Sequence, residues 1–227
     1  LILNSDIFVD PNFLKRARSA VEADPMIGWI SARITDAKDR ESFDYVGQYL
    51  RLRVALANSS SPHDGEDVFA GSGSAIFCKR AMLEDIAFKG EIYDEDFFAY
   101  IEDLDLAWRA QLRGWRCVYR SDVTAQHIGS ASQDGRVRVI EKPPEFIAHI
   151  IKNRYLTLVK NATPGLLVRF LPVFVLGELF FWILLAIRNP WKVVAISNAL
   201  SLAFSALPQA LEKRRHIMHR RVVPDRR

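Results

Sequence analysis

Cysteine is scarce, with only Cys78 and Cys117 in 227 residues. Two cannot build a disulfide framework, and neither stands at Cys-x-x-Cys spacing, so a reducing compartment accounts for both. Glycine (11) and proline (10) are not enriched, which excludes a collagen-like or low-complexity chain and a long flexible linker. There is no internal repeat, and no secretory or transit pattern opens the sequence. Hydrophobic residues make up 49% and charged residues 26%, an ordinary globular balance. The length suits one large domain, or one domain with an appendage.

The net charge of +4 hides a segregation. From Asp85 to Asp105 the chain carries Asp85, Glu91, Asp94, Glu95, Asp96, Glu102, Asp103 and Asp105 against the single cation Lys89. Acids clustered in this way point to a cation site or a proton-transfer site. The C-terminal stretch is basic, with Lys213, Arg214, Arg215, Arg220, Arg221, Arg226 and Arg227. Beside an apolar run, such a tail points to anionic lipid headgroups rather than nucleic acid.

Strand and helix patterns alternate, which predicts an α/β fold with an open, mostly parallel sheet. Leu1-Ile2-Leu3 stops at Asn4-Ser5-Asp6 and reads as the end of a buried parallel strand. Such a strand needs neighbours on both sides, so the expectation is a fragment of a larger protein. Asp10-Pro11 starts a helix with Phe13, Leu14, Ala17, Ala20 and Val21 on its apolar face. Met26 to Ile34 reads as a strand, and Thr35 to Asp67 as a long polar excursion, loosest at Ser59-Ser60-Ser61-Pro62. A strand over Ala75–Cys78 and a short helix through Met82, Leu83 and Ile86 follow. Next comes a helix over about Glu102–Leu112, closed by Arg113-Gly114. Trp115–Tyr119 and Val123–Ile128 read as two extended pieces, and Pro143-Pro144 opens a further helix.

After Pro164-Gly165 the composition changes. Leu166–Ile187 is almost wholly apolar, Arg188-Asn189-Pro190-Trp191-Lys192 is a polar turn, and Val193–Leu211 is apolar again. A bilayer span needs about 20 apolar residues, so the first run is marginal, and a charge near its middle costs roughly 2.5–3.5 kcal/mol. Cations at both flanks and in the turn (Lys160, Arg169, Arg188, Lys192, Lys213) disfavour placing the turn outside. Two helices lying in, or dipping into, the cytoplasmic interface are the expected arrangement, with a transmembrane span also open. The alternative is a buried hairpin.

Four places can carry chemistry. Asp6, at a strand end, could hold a divalent cation that in turn holds a diphosphate, or it could simply cap a turn. Gly71-Ser72-Gly73-Ser74 precedes a strand rather than a helix, so it is not a dinucleotide fingerprint. Its glycines allow either close approach to a sugar or phosphate, or a plain turn. Glu102, Asp103 and Asp105 crowd the first turn of a helix, where acids also act as caps. Asp105 and Arg109 should pair at i, i+4 and free Asp103 to point outward as a general base. His127 matters only if it shares a sheet edge with Asp6.

Together these residues resemble the family 2 glycosyltransferases, in the rhamnosyltransferase- and galactofuranosyltransferase-like branch. The resemblance covers roughly residues 1–160. It rests on Leu3-Asn4-Ser5-Asp6, Gly71–Ser74, Asp94-Glu95-Asp96-Phe97-Phe98-Ala99-Tyr100-Ile101-Glu102-Asp103-Leu104-Asp105-Leu106-Ala107-Trp108-Arg109, Arg113-Gly114-Trp115, His127 and Lys152-Asn153-Arg154-Tyr155. It implies a GT-A fold, Rossmann-like, followed by membrane-associated apolar helices. Residues 1–142 would be the C-terminal part of the transferase domain, 143–164 a connecting helix, and 165–227 a membrane-associated hairpin with a basic tail. Asn4-Ser5-Asp6 matches an Asp-x-Asp motif with Asn in first place, so Asp6, with His127, would hold Mg²⁺ or Mn²⁺. Asp103 matches the catalytic base, and Glu102 would shape the acceptor site. Asn4, Ser5, Gly71, Ser72, Gly73, Ser74, Tyr100 and Arg109 would be donor- or acceptor-binding positions.

The implied reaction is inverting transfer of a hexosyl or deoxyhexosyl group from a dTDP-rhamnose-like or UDP-sugar to a lipid-linked or cell-surface glycan. It would take place at the cytoplasmic face of the cell membrane. About a hundred residues that carry the nucleobase pocket in relatives precede the Asp-x-Asp position there and are missing here, so weak donor binding is expected of this chain alone. The rival classes are a metal-dependent nucleotidyl or phosphoryl transferase and a non-catalytic membrane module.

Overall fold

A computed structural model describes residues 1–37, 43–45, 47–51, 54–58, 62–128 and 139–224. The main sheet contains β1 (Ile2–Leu3), β2 (Ile7–Val9), β3 (Ile27–Asp36), β4 (Phe43–Tyr45), β7 (Asp67–Val68), β8 (Ala75–Cys78) and β9 (Arg116–His127). Its order is β1-β8-β3-β9-β2, with β4 added to β3 and β7 to β9. A separate hairpin pairs β5 (Gln48–Arg51) with β6 (Ala55–Asn58). The helices are α1 (Phe13–Glu22), α2 (Arg80–Ile86), α3 (Glu102–Leu112), α4 (Pro144–Asn161), α5 (Pro164–Arg188) and α6 (Val194–Arg220).

Strand β3 organises the core because side chains alternate across a strand. Ile30, Ala32 and Ile34 face one side with α1, whose Phe13, Ala17, Ala20 and Val21 recur at helical spacing. Trp29 faces the other side with Met82, Ile86, Leu106 and Ala110 of α2 and α3. Helix α3 is buried nearly all round. Leu106, Ala107 and Ala110 meet the sheet, while Leu104, Trp108 and Leu112 meet α4, α5 and α6. Gly114 closes α3 at φ +82°, a conformation glycine adopts without strain.

The α/β reading and the bounds of α3 agree with the sequence analysis, but the expectation of a mostly parallel sheet does not hold. Among the described residues only β3 and β9 run parallel; β1–β8, β8–β3, β3–β4, β9–β2 and β7–β9 are antiparallel. The strand–helix alternation looked like repeated βαβ units, yet several strands are two- or three-residue pieces that join through turns, and turns permit antiparallel pairing. Leu1, Ile2 and Leu3 are exposed, because β1 lies at the sheet edge and, among the described residues, pairs with β8 alone. The two extended pieces predicted between Trp115 and Ile128 form one strand, β9, whose pairing with β3 shifts register between Ala32 and Arg33. The hairpin β5–β6 lies inside the stretch expected to be irregular; Ser59–Ser61 fall outside the described residues.

Helices α5 and α6, with the turn before α6, are long and apolar enough to cross a membrane by length and composition. They share a core with the rest of the chain. Phe170 and Phe174 of α5 and Ile217 of α6 pack with Leu104, Trp108 and Leu158. Glu178, the acid in the middle of α5, turns inward to Arg154 (2.5 Å) and the Tyr155 hydroxyl (2.8 Å). The face carrying Val168, Leu171, Leu176, Phe180, Ile183 and Ile187 is exposed.

The acidic cluster holds cations of the chain's own. Lys160 pairs with Asp94 and, at 2.9 Å, with Asp105. Lys213 pairs with Asp94 (2.7 Å), Glu91 (2.8 Å) and Asp96 (3.2 Å). The basic tail is therefore partly spent inside the fold. Arg214 donates to the carbonyls of Val159 and Ala162, and Arg220 pairs with Asp85 (2.8 Å), which also accepts from Arg113 and the Trp115 indole. Arg226 and Arg227 lie outside the described residues.

Candidate functional site

Asn4-Ser5-Asp6 links β1 to β2. At its start the Asn4 amide donates to the Ser74 carbonyl (2.9 Å); at its end the Asp6 carbonyl accepts from the Ile128 amide (3.0 Å). Because Ile7 pairs with His127 in the β2–β9 ladder, Asp6 comes beside His127. The Asp6 Oδ2 to His127 Nε2 distance is 3.1 Å, with Asp6 partly open to solvent and His127 mostly covered. The condition set for His127, a shared edge with Asp6, is met.

The segment Gly71–Ser74 sits tightly on β3 and α3. A Cβ at Gly71 would come within 2.8 Å of the Trp29 Nε1 and 3.1 Å of the Ser31 Cα, so only glycine lets the backbone lie there. Ser72 and Ser74 are buried and share a hydrogen bond between their hydroxyls (2.7 Å). Gly73 lies against Asp103: a Cβ there would stand 3.0 Å from Oδ2 and 3.2 Å from the Asp103 Cβ. This one segment therefore touches the Asn4 turn through Ser74 and the α3 acid through Gly73.

Asp103 is turned toward Gly73 instead of outward. Its Oδ1 accepts from the Leu104 amide (2.8 Å). Burial and the neighbouring Glu102 charge push its carboxyl up to about 6, against the pull of the Leu104, Asp103 and Gly73 amides. A carboxylate of that strength lies near the range suited to proton abstraction at neutral pH. The buried Glu102 Oε2 has no partner among the described residues.

Arg109 is turned into the fold. The predicted pairing with Asp105 holds at 2.9 Å, and the rest of the buried guanidinium donates to the carbonyls of Ile86 (2.8 Å) and Ile92 (2.7 Å). It ties the 86–92 segment to α3. Tyr100 stands at the mouth of the acidic loop with φ +68°; its hydroxyl accepts from Lys142 (2.9 Å) and its ring meets Phe146 edge-on.

No family model matches the chain, and no curated protein matches it. Among solved structures, the mannosyltransferase PcManGT from Pyrobaculum calidifontis, in complex with GDP-Man and Mn²⁺, is 15% identical with a TM-score of 0.38. The match covers 95% of this chain and 61% of that one, so the chain spans about three fifths of that protein's length. Likeness of that order transfers no residue, donor or metal to this chain.

Among the described residues, no group of three or more His, Cys, Asp or Glu side chains could hold a metal ion. Asp6 and His127 form a pair. That donor set fits a hard divalent ion held jointly with a diphosphate, since magnesium takes one or two carboxylates and completes its shell with phosphate oxygens and water. It does not fit a self-contained protein cage.

Tyr93 escaped the sequence analysis. It is half-buried, and its phenol is pushed up to about 12, first by burial and then by the negative charge of Cys78, Glu102 and Asp103. It therefore stands within electrostatic reach of the α3 acids. Its only sequence signal was its place in the acidic run, four residues before Phe97.

Proposed function

We propose that the chain transfers a sugar, with inversion, from a nucleotide-diphospho-sugar to an acceptor hydroxyl, with Asp103 as the base. The observation that carries this reading is the Gly71–Ser74 segment. It joins a weakened carboxylate on one side to the turn bearing the Asp6–His127 pair on the other.

Asp6 and His127 would hold Mg²⁺ or Mn²⁺, which supplies charge neutralisation at the departing diphosphate. Asn4, Ser5 and the glycine-serine segment lie beside the donor. Asp103 takes the proton of the acceptor hydroxyl from the face opposite the leaving group. A single base on that face gives inversion, whereas glycoside hydrolysis works with two carboxylates. Glu102, Tyr93 and Tyr100 border the acceptor side. In this reading the donor is a dTDP-rhamnose-like or UDP-sugar and the acceptor a lipid-linked or cell-surface glycan. Residues 1–142 carry the chemistry, and 143–164 connect them to the apolar hairpin of 165–227.

The hairpin lies along the cytoplasmic membrane surface in this reading. Both ends of α5 are held to the body of the protein. Phe170 packs on Trp108 and Phe174 on Tyr155, while just past its other end Lys192 donates to the carbonyls of Ile140 and Lys142 (2.8 Å each). Upright insertion would drag the polar side chains of α4 into hydrocarbon, at several kcal/mol for each unsatisfied group. Lying flat buries only the outer apolar face.

The test is release of nucleoside diphosphate from a panel of UDP- and dTDP-sugars, with Mg²⁺ or Mn²⁺ and a membrane extract as acceptor source. Acceptor-dependent release that stops with EDTA and in Asp6→Ala is the expected result. Release from no donor by a folded chain, even at donor concentrations high enough to offset the weak binding expected of it, would sink the proposal in favour of a non-catalytic membrane module.

Gly73→Ala should lower turnover by about tenfold or more, because the added methyl displaces the Asp103 carboxylate from its attack position. Turnover equal to wild type would show that Gly73 does not seat the base.

A further inference from the structure

Two residues before α3 adopt a backbone conformation that their side chains disfavour. Tyr100 has φ +68° and Ile101 φ +73°, the left-handed region. Neither is glycine, and a β-branched residue such as Ile101 is poorly suited to it. Ile101 is the N-cap of α3 and makes no side-chain capping bond. Glu102 and Asp103 follow at once. Strain of this kind persists only where the surroundings impose it.

The surroundings are two consecutive residues of α4. The Nδ2 of Asn153, a fully buried side chain, donates to the carbonyls of Ala99 (3.0 Å) and Tyr100 (2.8 Å). Lys152 donates to the Asp96 carbonyl. The Lys152-Asn153 pair thus grips the chain at three carbonyls between Asp96 and Tyr100. Neither side chain bonds to Asp103.

Resting on Asp103 as the base, we infer that Asn153 is a positioning residue: by holding the carbonyls of Ala99 and Tyr100 it imposes the left-handed turn from which α3 starts, and so seats Asp103 against Gly73. Both amide hydrogens of Asn153 are used on this turn, and its Oδ1 has no partner among the described residues. The side chain therefore serves the turn as a donor only. Asp at 153 keeps the shape and removes both donors, turning carboxylate oxygens toward two carbonyls.

The test uses the full chain with Asn153→Ala, Asn153→Asp and Asn153→Ala combined with Ile101→Gly. Glycine adopts the left-handed region without strain, so it should restore the turn once the clamp is gone. Hydrogen exchange of the amides at 99–105 should quicken by about tenfold or more in both single variants, while amides of β3 and β9 stay protected. Turnover should fall about 10- to 100-fold with the donor KM nearly constant, since the loss falls on base placement. The acid limb of the rate profile should move to lower pH, because a loosened turn exposes Asp103 to water and burial is the main cause of its raised carboxyl. The double variant should recover most of the protection and of the turnover.

Unchanged exchange at 99–105 in both single variants would overturn the inference, as would failure of Ile101→Gly to restore protection in a chain that still melts cooperatively. Hydrogen exchange needs no turnover, so an inactive wild-type chain would sink the transferase reading while leaving the clamp to be decided by exchange alone.

Discussion

Asp103→Asn is expected to lower turnover by about 10²–10⁴-fold, the usual contribution of a positioned base, while the variant melts no lower than wild type at pH 7. Asn fills the same space against Gly73 and cannot take a proton. The stability half follows from the raised carboxyl. Asp103 titrates at about 6 in the fold against about 3.9 in an unfolded chain. Between those values the folded state binds more protons than the unfolded one, so Asp103 makes stability fall as pH rises from about 4 to about 6. At pH 7 the whole penalty of a covered carboxylate is present, and the amide removes it. Wild-type turnover should carry an acid limb near pH 6, with activity gained as pH rises through it. Parallel pH–rate and thermal-melt series on both proteins check this; a variant retaining more than about a tenth of wild-type turnover would exclude Asp103 as the base.

The largest stability loss should come from Lys160→Met. Lys160 is almost completely buried, pairs with Asp94 and Asp105, and lies over the Phe97 ring at 4.5 Å. Methionine keeps most of the volume and deletes the charge, leaving two carboxylates in an apolar setting with fewer partners. Breaking a buried pair in this way costs about 3–5 kcal/mol, a fall in Tm of roughly 10 °C for a chain of this size. Burial alone would raise the Asp105 carboxyl, but Lys160 and Arg109 hold it down to about 2. The stability Asp105 supplies is therefore present above about pH 4 and lost as pH falls toward 2. The acid-induced drop in Tm should be shallower in the variant. A loss below about 1 kcal/mol at pH 7, the level of an exposed pair, would count against the network.

These two residues mark what the sequence made legible. Helix α3 could be bounded at Glu102–Leu112 because its signals are local: acids in the first turn, Arg113 and Gly114 at the end. The Asp105–Arg109 pair is likewise a matter of helical spacing. The contact of Gly73 with Asp103 is not, since a glycine's neighbour is set by how a loop lies on a helix 30 residues later. The acidic run shows the same limit. Its charges were plain, but the cations that meet Glu91, Asp94 and Asp96 are Lys160 and Lys213, on helices distant in sequence. Strand direction failed because turns and short edge strands leave no periodic trace.

The counter-ions also fix where this protein can be cut. Trimming the chain before Pro164 to discard its apolar helices removes Lys213 and Arg220 together. Glu91 and Asp96 then lose a cation, Asp94 keeps Lys160 and the Asp96 amide, and Asp85 keeps Arg113 and the Trp115 indole. A soluble half made that way would carry an uncompensated negative seam along the loop that leads to Asp103. For expression and crystallisation, detergent is the better remedy for the exposed apolar face than a shorter gene.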